Sequence, residues 1–222
     1  MTSTLDYVEQ LPKSLHRYSI IWIHGLGADG HDFEGITPAL DLHDAGVHFI
    51  FPHAPLQPVT INGGMVMRAW YDIMEMTLIR KVDEKGIYAS SDAIHELIQM
   101  EINKGIPSEN IVLAGFSQGG VIALHAGLRF PQKLGGIVAL STYLPTIPQL
   151  KTEAAETNKT TPILMVHGMA DPVVAIQAGK MARDGLIALG CEVQWLEFAM
   201  QHEVIYQEID AIKKFIKQCF NQ

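Results

Sequence analysis

Cysteine is scarce in this chain, whose 222 residues include only Cys191 and Cys219. The two lack the paired spacings of a zinc site and the density of a disulfide-stapled secreted scaffold. We therefore expect both to be reduced thiols. The chain also lacks an H-E-x-x-H pair, so neither a metal site nor a cofactor is predicted.

Positive charge is sparse as well. Lys and Arg number 16 against 24 Asp and Glu, for a formal net charge of −8, and the basic residues form no stripe. Binding to nucleic acid or to an anionic membrane surface is therefore not expected. No run of about 18 apolar residues occurs, and the N-terminus has no cationic start followed by an apolar stretch. These absences predict a cytoplasmic protein without an integral membrane segment.

Apolar residues, by contrast, make up 48% of the chain, which is enough for one closed core. We expect a single domain over residues 1–222 with its core at about 18–219. Short runs rich in Ile and Val recur at 18–24, 47–52, 110–116, 135–140, 162–168 and 192–198. Most of these runs are apolar at consecutive positions, which is typical of strands covered on both faces.

Stretches with helical spacing alternate with these runs. They lie near 31–45, 90–104, 118–129, 173–189 and 203–219. Ser90 or Ser91 is expected to cap the second of them, and the polar segment 142–161 is expected to be a surface excursion rather than a second domain. Strand and helix in alternation predict an α/β fold with a mainly parallel sheet and helices on both faces.

The apolar run at 110–116 leads directly into "GFSQGG", residues 115–120. In a G-x-S-x-G turn between a buried strand and a helix, the backbone folds so sharply that bulky residues two before and two after the serine would collide with neighbouring elements. Gly115 and Gly119 remove that collision. Ser117 is then held at the carboxyl edge of the strand with its hydroxyl exposed, which is typical of a nucleophile.

A serine hydroxyl is a weak nucleophile, so it needs a base and a group that orients the base. In this kind of site the partners follow in the order serine, acid, histidine. Among the histidines after Ser117, His125 lies on the following helix and His167 lies within a strand-like run. His202 follows the last predicted strand, where a loop can carry it over the sheet edge, and we expect it to be the base.

The orienting acid is expected to be Asp171. It directly follows a buried strand, in a tight turn marked by Gly168 and Pro172. The other candidate acids between Ser117 and His202 fall on a predicted helix or on the last strand: Asp184, Glu192 and Glu197.

The negative charge that develops on the substrate needs backbone N–H donors. One is expected from Gln118, the residue after the nucleophile. The other is expected from Leu26 in "HGLGADG", residues 24–30, which leaves an early strand through three glycines.

With these residues in place, the sequence resembles the acyl-protein thioesterase and carboxylesterase family of compact α/β-hydrolases. The agreement runs from about residue 18 to 216 through six motifs in family order: "HGLGADG", "FPHAP", "MRAWYD", "GFSQGG", "HGMADPVV" and "QHEV". The resemblance assigns the same roles to Ser117, Asp171, His202, Leu26 and Gln118. It implies a fold without a large cap domain and cofactor-free hydrolysis of acyl esters or thioesters. Family precedent also favours a homodimer, which nothing in the sequence decides.

Four apolar residues are predicted to contact the acyl chain: Met65, Met67, Trp70 and Leu144. The first three lie in the methionine-rich segment 56–78, which the family uses near substrate, and flexible thioethers suit a channel for chains of varied length. Ordinary core packing is the alternative for all four, and a dimer contact is a further alternative for Leu144. Whether 56–78 or 142–161 gates the site is left open by the sequence.

Other polar residues have structural explanations. His24, His53 and His167 each end a predicted strand. We expect His24 and His167, each followed by glycine, to brace loops through hydrogen bonds to the backbone rather than to bind a metal. Arg68 and Asp72 are expected to pin their loop by a salt bridge.

The favoured prediction is a serine carboxylesterase or thioesterase that works through an acyl-enzyme, with an acylated protein or a lysophospholipid as candidate substrates. One alternative is a lysophospholipase or small-molecule esterase. An alternative of another class is a hydrolase-fold module that binds an acyl ligand without turnover, but the complete catalytic set argues against it.

Overall fold

The computed structural model describes residues 5–75 and 82–221, and a seven-stranded sheet forms its centre. The strands are β1 (Tyr7–Gln10), β2 (Tyr18–Ile23), β3 (Val47–Pro52), β4 (Leu56–Val59), β5 (Met65–Arg68), β6 (Ile111–Phe116), β7 (Gly136–Leu140), β8 (Ile163–Gly168) and β9 (Val193–Phe198). The central sheet has the order β1-β3-β2-β6-β7-β8-β9. Its neighbours are parallel, except that β1 runs antiparallel to β3. The mainly parallel sheet predicted from the sequence is confirmed.

Helices connect the strands. They are α1 (Thr37–Leu40), α2 (Glu84–Asn103), α3 (Gln118–Arg129), α4 (Ile147–Glu153), α5 (Glu156–Lys159), α6 (Ile176–Ala188) and α7 (Tyr206–Cys219). Short 3-10 helices lie at Glu34–Ile36, His43–Ala45, Thr60–Asn62 and Ser108–Asn110. In the described part of the chain, no helix combines the length and the apolarity that crossing a membrane would require.

Successive residues of β2 pack into different halves of the core. Ile21 and Ile23 join the apolar cluster that includes residues of α2, α3 and α6, whereas Ile20 and Trp22 join the cluster that includes residues of α1 and α7. Because side chains alternate between the two faces of a strand, a strand buried on both faces must be apolar at every position. This explains why the apolar runs predicted β2, β3, β6, β7 and β8 correctly, whereas β9, also predicted, is an edge strand that is only partly buried.

Two strand features were not predicted. The edge strand β1 is short and only partly buried. The segment 56–78, for which no element was predicted, contains an antiparallel hairpin of β4 and β5, with Leu56 opposite Arg68 and Val59 opposite Met65. Residues 76–78 of that segment lie outside the described residues.

The start of α2 corrects the predicted boundary at residue 90. The helix begins at Glu84, and the carboxylate of Asp83 caps it by accepting a hydrogen bond from the Gly86 amide at 3.0 Å. Ser90 and Ser91 are buried inside the helix, where the Ser90 hydroxyl donates to the backbone of Trp70. Aspartate caps helices about as well as serine. Here the cap is Asp83, which precedes both serines in the chain.

The segment 142–161, predicted to be a surface excursion, packs against the core instead. It contains α4 and α5, and its Asn158 is fully buried. The Asn158 side chain donates to the carbonyls of Phe130 and Gln132 and accepts from the Leu134 amide. These bonds attach the segment to the loop that follows α3.

Candidate active site

Ser117 occupies the sharp turn between β6 and α3. Its backbone has φ 53° and ψ −118°, a conformation that non-glycine residues seldom adopt. A Cβ built on Gly119 would collide with the carbonyl oxygens of Ile23 and His24, and one built on Gly115 would collide with the backbone of Gly119. Both glycines are therefore required by close backbone contacts, as the G-x-S-x-G spacing predicted.

Three side chains form one continuous series of hydrogen bonds at the carboxyl ends of β6, β8 and β9. Oγ of Ser117 lies 3.0 Å from Nε2 of His202, and Nδ1 of His202 lies 2.7 Å from Oδ2 of Asp171. The side chain of Asp171 is fully buried, while that of His202 is 16% exposed. The imidazole thus contacts the hydroxyl on one side and the carboxylate on the other.

The buried carboxylate of Asp171 is held by its own turn. Its Oδ1 accepts hydrogen bonds from the amides of Val173 and Val174, both at 2.8 Å. A buried charge is costly unless it is hydrogen-bonded, and these two donors supply part of that stabilisation. Oδ2 is left to accept from His202.

The hydroxyl of Ser117 opens into a cleft of about 430 Å³. Leu26, Gln118 and His202 also line it. The remaining walls are largely apolar: Ile61, Ile73, Phe116, Val173 and Val174. An apolar cleft with a few convergent polar groups is the usual form of a small-molecule site, and here the hydroxyl of Ser117 and the imidazole of His202 are among those polar groups.

Residues 7–220 match the family model described as phospholipase/carboxylesterase. The chain belongs to this family. The acyl-protein thioesterase 1 of Neurospora crassa is 43% identical over 215 residues, which cover 91% of this chain and 87% of that protein. The thioesterase of the same name from Saccharomyces cerevisiae is 38% identical over 211 residues, covering 91% and 92% of the two chains.

Solved structures give the same result. Arabidopsis thaliana SOBER1 superposes with a TM-score of 0.88 at 33% identity, over 92% of this chain and 99% of that one. Zea mays acyl-protein thioesterase 2 superposes with a TM-score of 0.87 at 29% identity, over 96% and 98%. The predicted α/β-hydrolase fold is confirmed, and this member of the phospholipase/carboxylesterase family is a hydrolase of acyl esters or thioesters.

The two residues expected to supply backbone donors lie on segments that are tied together. The Gln118 side chain accepts from the Trp70 amide at 2.8 Å and donates to the Tyr71 carbonyl at 2.7 Å. The Trp70 indole donates to the His24 carbonyl at 2.8 Å, and the Gly27 amide donates to the Arg68 carbonyl at 2.8 Å. These bonds hold the loop that carries Leu26 in place beside the start of α3.

The structure does not place the four predicted acyl-contact residues on the cleft wall. Trp70 and Leu144 are buried in the core, because large apolar side chains gain most where water is fully excluded. Met65 is 64% exposed on β5. Met67 does not line the cleft, and its sulfur accepts from the side-chain amide of Asn62, a residue that does, at 3.3 Å.

Sequence reasoning missed the residues that do line the cleft. Phe116, Val173 and Val174 neighbour Ser117 or Asp171 in the chain, so adjacency to the predicted triad was a usable signal. Ile61 lies in the 3-10 turn that connects β4 to β5, and Ile73 follows β5; the two meet through a hydrogen bond from the Ile61 amide to the Ile73 carbonyl at 2.9 Å. No local sequence signal pairs those two residues.

The loop-bracing role predicted for His24 and His167 is confirmed, and His53 is found to have the same role. Nδ1 of His24 donates to the Gly25 carbonyl at 2.7 Å, and its Nε2 accepts from the Ala54 amide at 3.1 Å. Burial lowers the pKa of His24 to about 4, so the ring is neutral at pH 7. His53 accepts from the Gly30 amide at 3.0 Å, and His167 donates to a backbone carbonyl at 2.9 Å.

Arg68 and Asp72 do pin their loop, but not through each other. Arg68 donates to the Ala54 carbonyl at 2.7 Å. Asp72 accepts from the amide and the hydroxyl of Thr60, at 2.7 and 2.6 Å. The predicted salt bridge is therefore replaced by two links from side chain to loop.

His16, His48 and Glu101 form a group with metal-ligand geometry, since their donor atoms lie within 4.8 Å of one another. The group lies near the amino ends of β2 and β3, at the edge of the sheet opposite Ser117. Burial alone would raise the pKa of Glu101, but hydrogen bonds from His48, Lys104 and Ser19 bring it down to about 2. Those bonds, at 2.9, 2.7 and 2.6 Å, make the group a satisfied ionic network without a metal.

Proposed function

We propose that Ser117 is the nucleophile of this esterase, with His202 as its base and Asp171 as the acid that orients the base. The observation that carries this proposal is the unbroken series of hydrogen bonds from the Ser117 hydroxyl to Asp171, at the mouth of an apolar cleft. His202 removes the hydroxyl proton as Oγ attacks the acyl carbonyl. Asp171 stabilises the imidazolium that forms.

The tetrahedral intermediate carries its negative charge on the former carbonyl oxygen. In the proposed mechanism the backbone N–H groups of Leu26 and Gln118 donate to that oxygen. Support comes from the position of both residues on the cleft and from the segment 68–71, which bonds to the Gln118 side chain on one side and to the loop of Leu26 on the other. His202 then protonates the leaving group, and water releases the acyl chain from Ser117 in a second half-reaction.

We propose further that the natural substrate is an acylated protein carrying its acyl group as a thioester. Two observations support this substrate class: relatives more than a third identical are named acyl-protein thioesterase, and the walls of the cleft beside Ser117 are largely apolar. A cysteine thiolate is a good leaving group and its proton demand on His202 is small, so the proposed triad suffices for the reaction.

The test is an activity profile on paired oxyesters and thioesters of increasing chain length. We expect Ser117→Ala to lower kcat by on the order of 10⁶ with every substrate and to abolish labelling by a fluorophosphonate probe. Ser14→Ala, at an exposed serine far from the cleft, is the matched control and should behave as wild type. More than a tenth of wild-type turnover in pure Ser117→Ala protein would contradict the assignment.

Lysophospholipid is a second candidate substrate, favoured by the description of the family as phospholipase as well as carboxylesterase. Rates on lysophospholipids with different headgroups separate it from a protein thioesterase, because a headgroup preference has no counterpart among acylated peptides. The cytoplasmic location, the homodimer and the single domain over residues 1–222 are further predictions. These three properties are measured by cell fractionation, by the molar mass in solution from light scattering, and by limited proteolysis.

A further inference from the structure

His167 is a buried histidine beside the proposed triad that the mechanism does not use. It is the penultimate residue of β8 and is 1% exposed. Its Nε2 lies 2.9 Å from the carbonyl oxygen of Val174 and 3.7 Å from Oδ2 of Asp171. A carbonyl oxygen only accepts hydrogen bonds, so Nε2 must carry the hydrogen.

The other ring nitrogen is enclosed. Nδ1 has no hydrogen-bond partner among residues 5–75 and 82–221. Gly179 of α6 packs against it so closely that a Cβ there would lie 2.5 Å from Nδ1, and the Trp195 ring stacks on the imidazole with a centroid distance of 5.9 Å. A second proton on Nδ1 would be buried without an acceptor, which is costly.

The charged groups around His167 do not reverse this preference. Burial is the largest influence and lowers the pKa of His167; Asp171 and Glu197 act in the opposite direction, and His202 acts in the same direction as burial. The basic side chains of α6 near Gly179 are engaged elsewhere: Lys180 binds Glu197 at 2.9 Å, and Arg183 binds Asp184 at 2.7 Å and lies over the Trp195 ring. The ring is therefore a neutral donor with one defined tautomer.

We propose that His167 is a positioning residue for the triad: its Nε2–H holds the turn 171–174 so that Asp171 presents Oδ2 to His202. Val174 is the link. Its carbonyl accepts from His167, while its amide donates to Oδ1 of Asp171 at 2.8 Å. A neutral His167 also leaves the imidazolium of His202 as the cation that the carboxylate stabilises during turnover. This inference rests on the proposed roles of Ser117, His202 and Asp171.

The test compares His167→Leu, which removes the donor, with His167→Gln, which offers an amide N–H in its place. We expect His167→Leu to lower kcat by about 10², the cost of a misplacement on the order of 1 Å in a catalytic group. KM should stay unchanged, because His167 does not line the cleft. The acid limb of the kcat/KM profile should move to lower pH, since a loosely held carboxylate stabilises the imidazolium less. His167→Gln should restore most of both properties.

Gly179→Ala tests the same inference without altering the histidine. The added methyl group must displace the ring of His167, so we expect the same direction of change in kcat and in the acid limb. Gly35→Ala is the matched control, because a Cβ at Gly35 meets nothing within 4 Å. This second variant keeps the inference testable even if His167→Leu fails to fold.

A purely structural role for His167 has a different signature. Lower melting temperatures for His167→Leu and Gly179→Ala, with kcat and the acid limb unmoved in the folded fraction, would overturn the inference. The Ser117→Ala variant separates this failure from that of the proposed function. If Ser117→Ala is inactive and His167→Leu is fully active, only the positioning role is lost.

Discussion

Nε2 of His202 lies 3.0 Å from Oγ of Ser117, although 85 positions separate the two residues in the chain. Ser117 follows β6 and His202 follows β9, and both strands run parallel in one sheet. Because the carboxyl ends of parallel strands meet at one edge, loops that are distant in sequence converge there. The chemistry of this esterase family member is therefore assembled by the sheet rather than by local sequence.

Replacement of Asp171 by Asn should lower kcat by about 10⁴, the cost found when a triad acid is replaced by its amide elsewhere. The amide keeps the shape of the side chain but can donate to Nδ1 of His202, which favours the tautomer that cannot accept the Ser117 proton. Steady-state kinetics measure the effect. Asp184→Asn, at an exposed acid of α6, is the matched control. Equal kcat for the two variants would exclude Asp171 as the orienting acid.

Gly119→Ala should disrupt the turn that presents Ser117. The new methyl group would collide with the carbonyl oxygens of Ile23 and His24, which are backbone atoms and cannot rotate away. Overpacking of this kind typically costs about 1–3 kcal/mol in the free energy of unfolding. Denaturant unfolding and fluorophosphonate labelling together measure the loss of stability and of the reactive serine. A variant that is both as stable and as reactive as Gly35→Ala would contradict the predicted collision.

Glu208→Gln should stabilise the protein in neutral and alkaline solution. The carboxylate of Glu208, in the first turn of α7, is fully buried, and neither oxygen has a hydrogen-bond partner in the described part of the chain. Burial raises the pKa of Glu208 from 4.5 to about 8, although the backbone of Ile205 acts in the opposite direction. Below pH 4.5 the group is protonated in both the folded and the unfolded state, so it has no effect on stability there.

As the pH rises above 4.5, the unfolded state loses this proton while the folded state keeps it, and the free energy of unfolding falls until the pH passes about 8. The gain from Glu208→Gln should follow the same course and reach the order of a few kcal/mol at pH 8. Urea unfolding from pH 4 to 9 measures it. Glu96→Gln on α2, at a group without this burial, is the comparison, and parallel curves for the two variants would contradict the assignment.

A bulkier side chain in the cleft wall should narrow the cleft and so limit the enzyme to shorter acyl chains. Ile73 lines the cleft with Ile61, so Ile73→Trp should lower kcat/KM for long acyl esters by at least about tenfold, the scale of a few misfitted methylenes. Acetyl esters should be hydrolysed as before, because they reach only Ser117. Val66→Trp, at a residue 62% exposed on β5, is the control. A uniform loss over all chain lengths would indicate a general disturbance of the site instead.

The boundaries that sequence analysis missed have a common origin in tertiary packing. Strand β1 is short and polar on one side, and it exists because β3 offers its edge for pairing. The sequence of the β4–β5 hairpin contains no apolar run, and Met65 and Val66, the first residues of β5, are exposed. Trp70 looked like a substrate contact, but its indole and amide are both engaged in holding the loop beside Gln118.

The sequence by itself determined the central strands and the elbow around Ser117, because both depend on local constraints. A strand buried on both faces must be apolar throughout, and only glycine fits at positions 115 and 119. It also ordered the candidate acid and base along the chain. Only the tertiary structure decided which side chains form the wall of the cleft and which brace it from behind. That choice depends on contacts between segments far apart in sequence, such as Ile61 with Ile73 and His167 with Gly179, whose free energies no local pattern encodes.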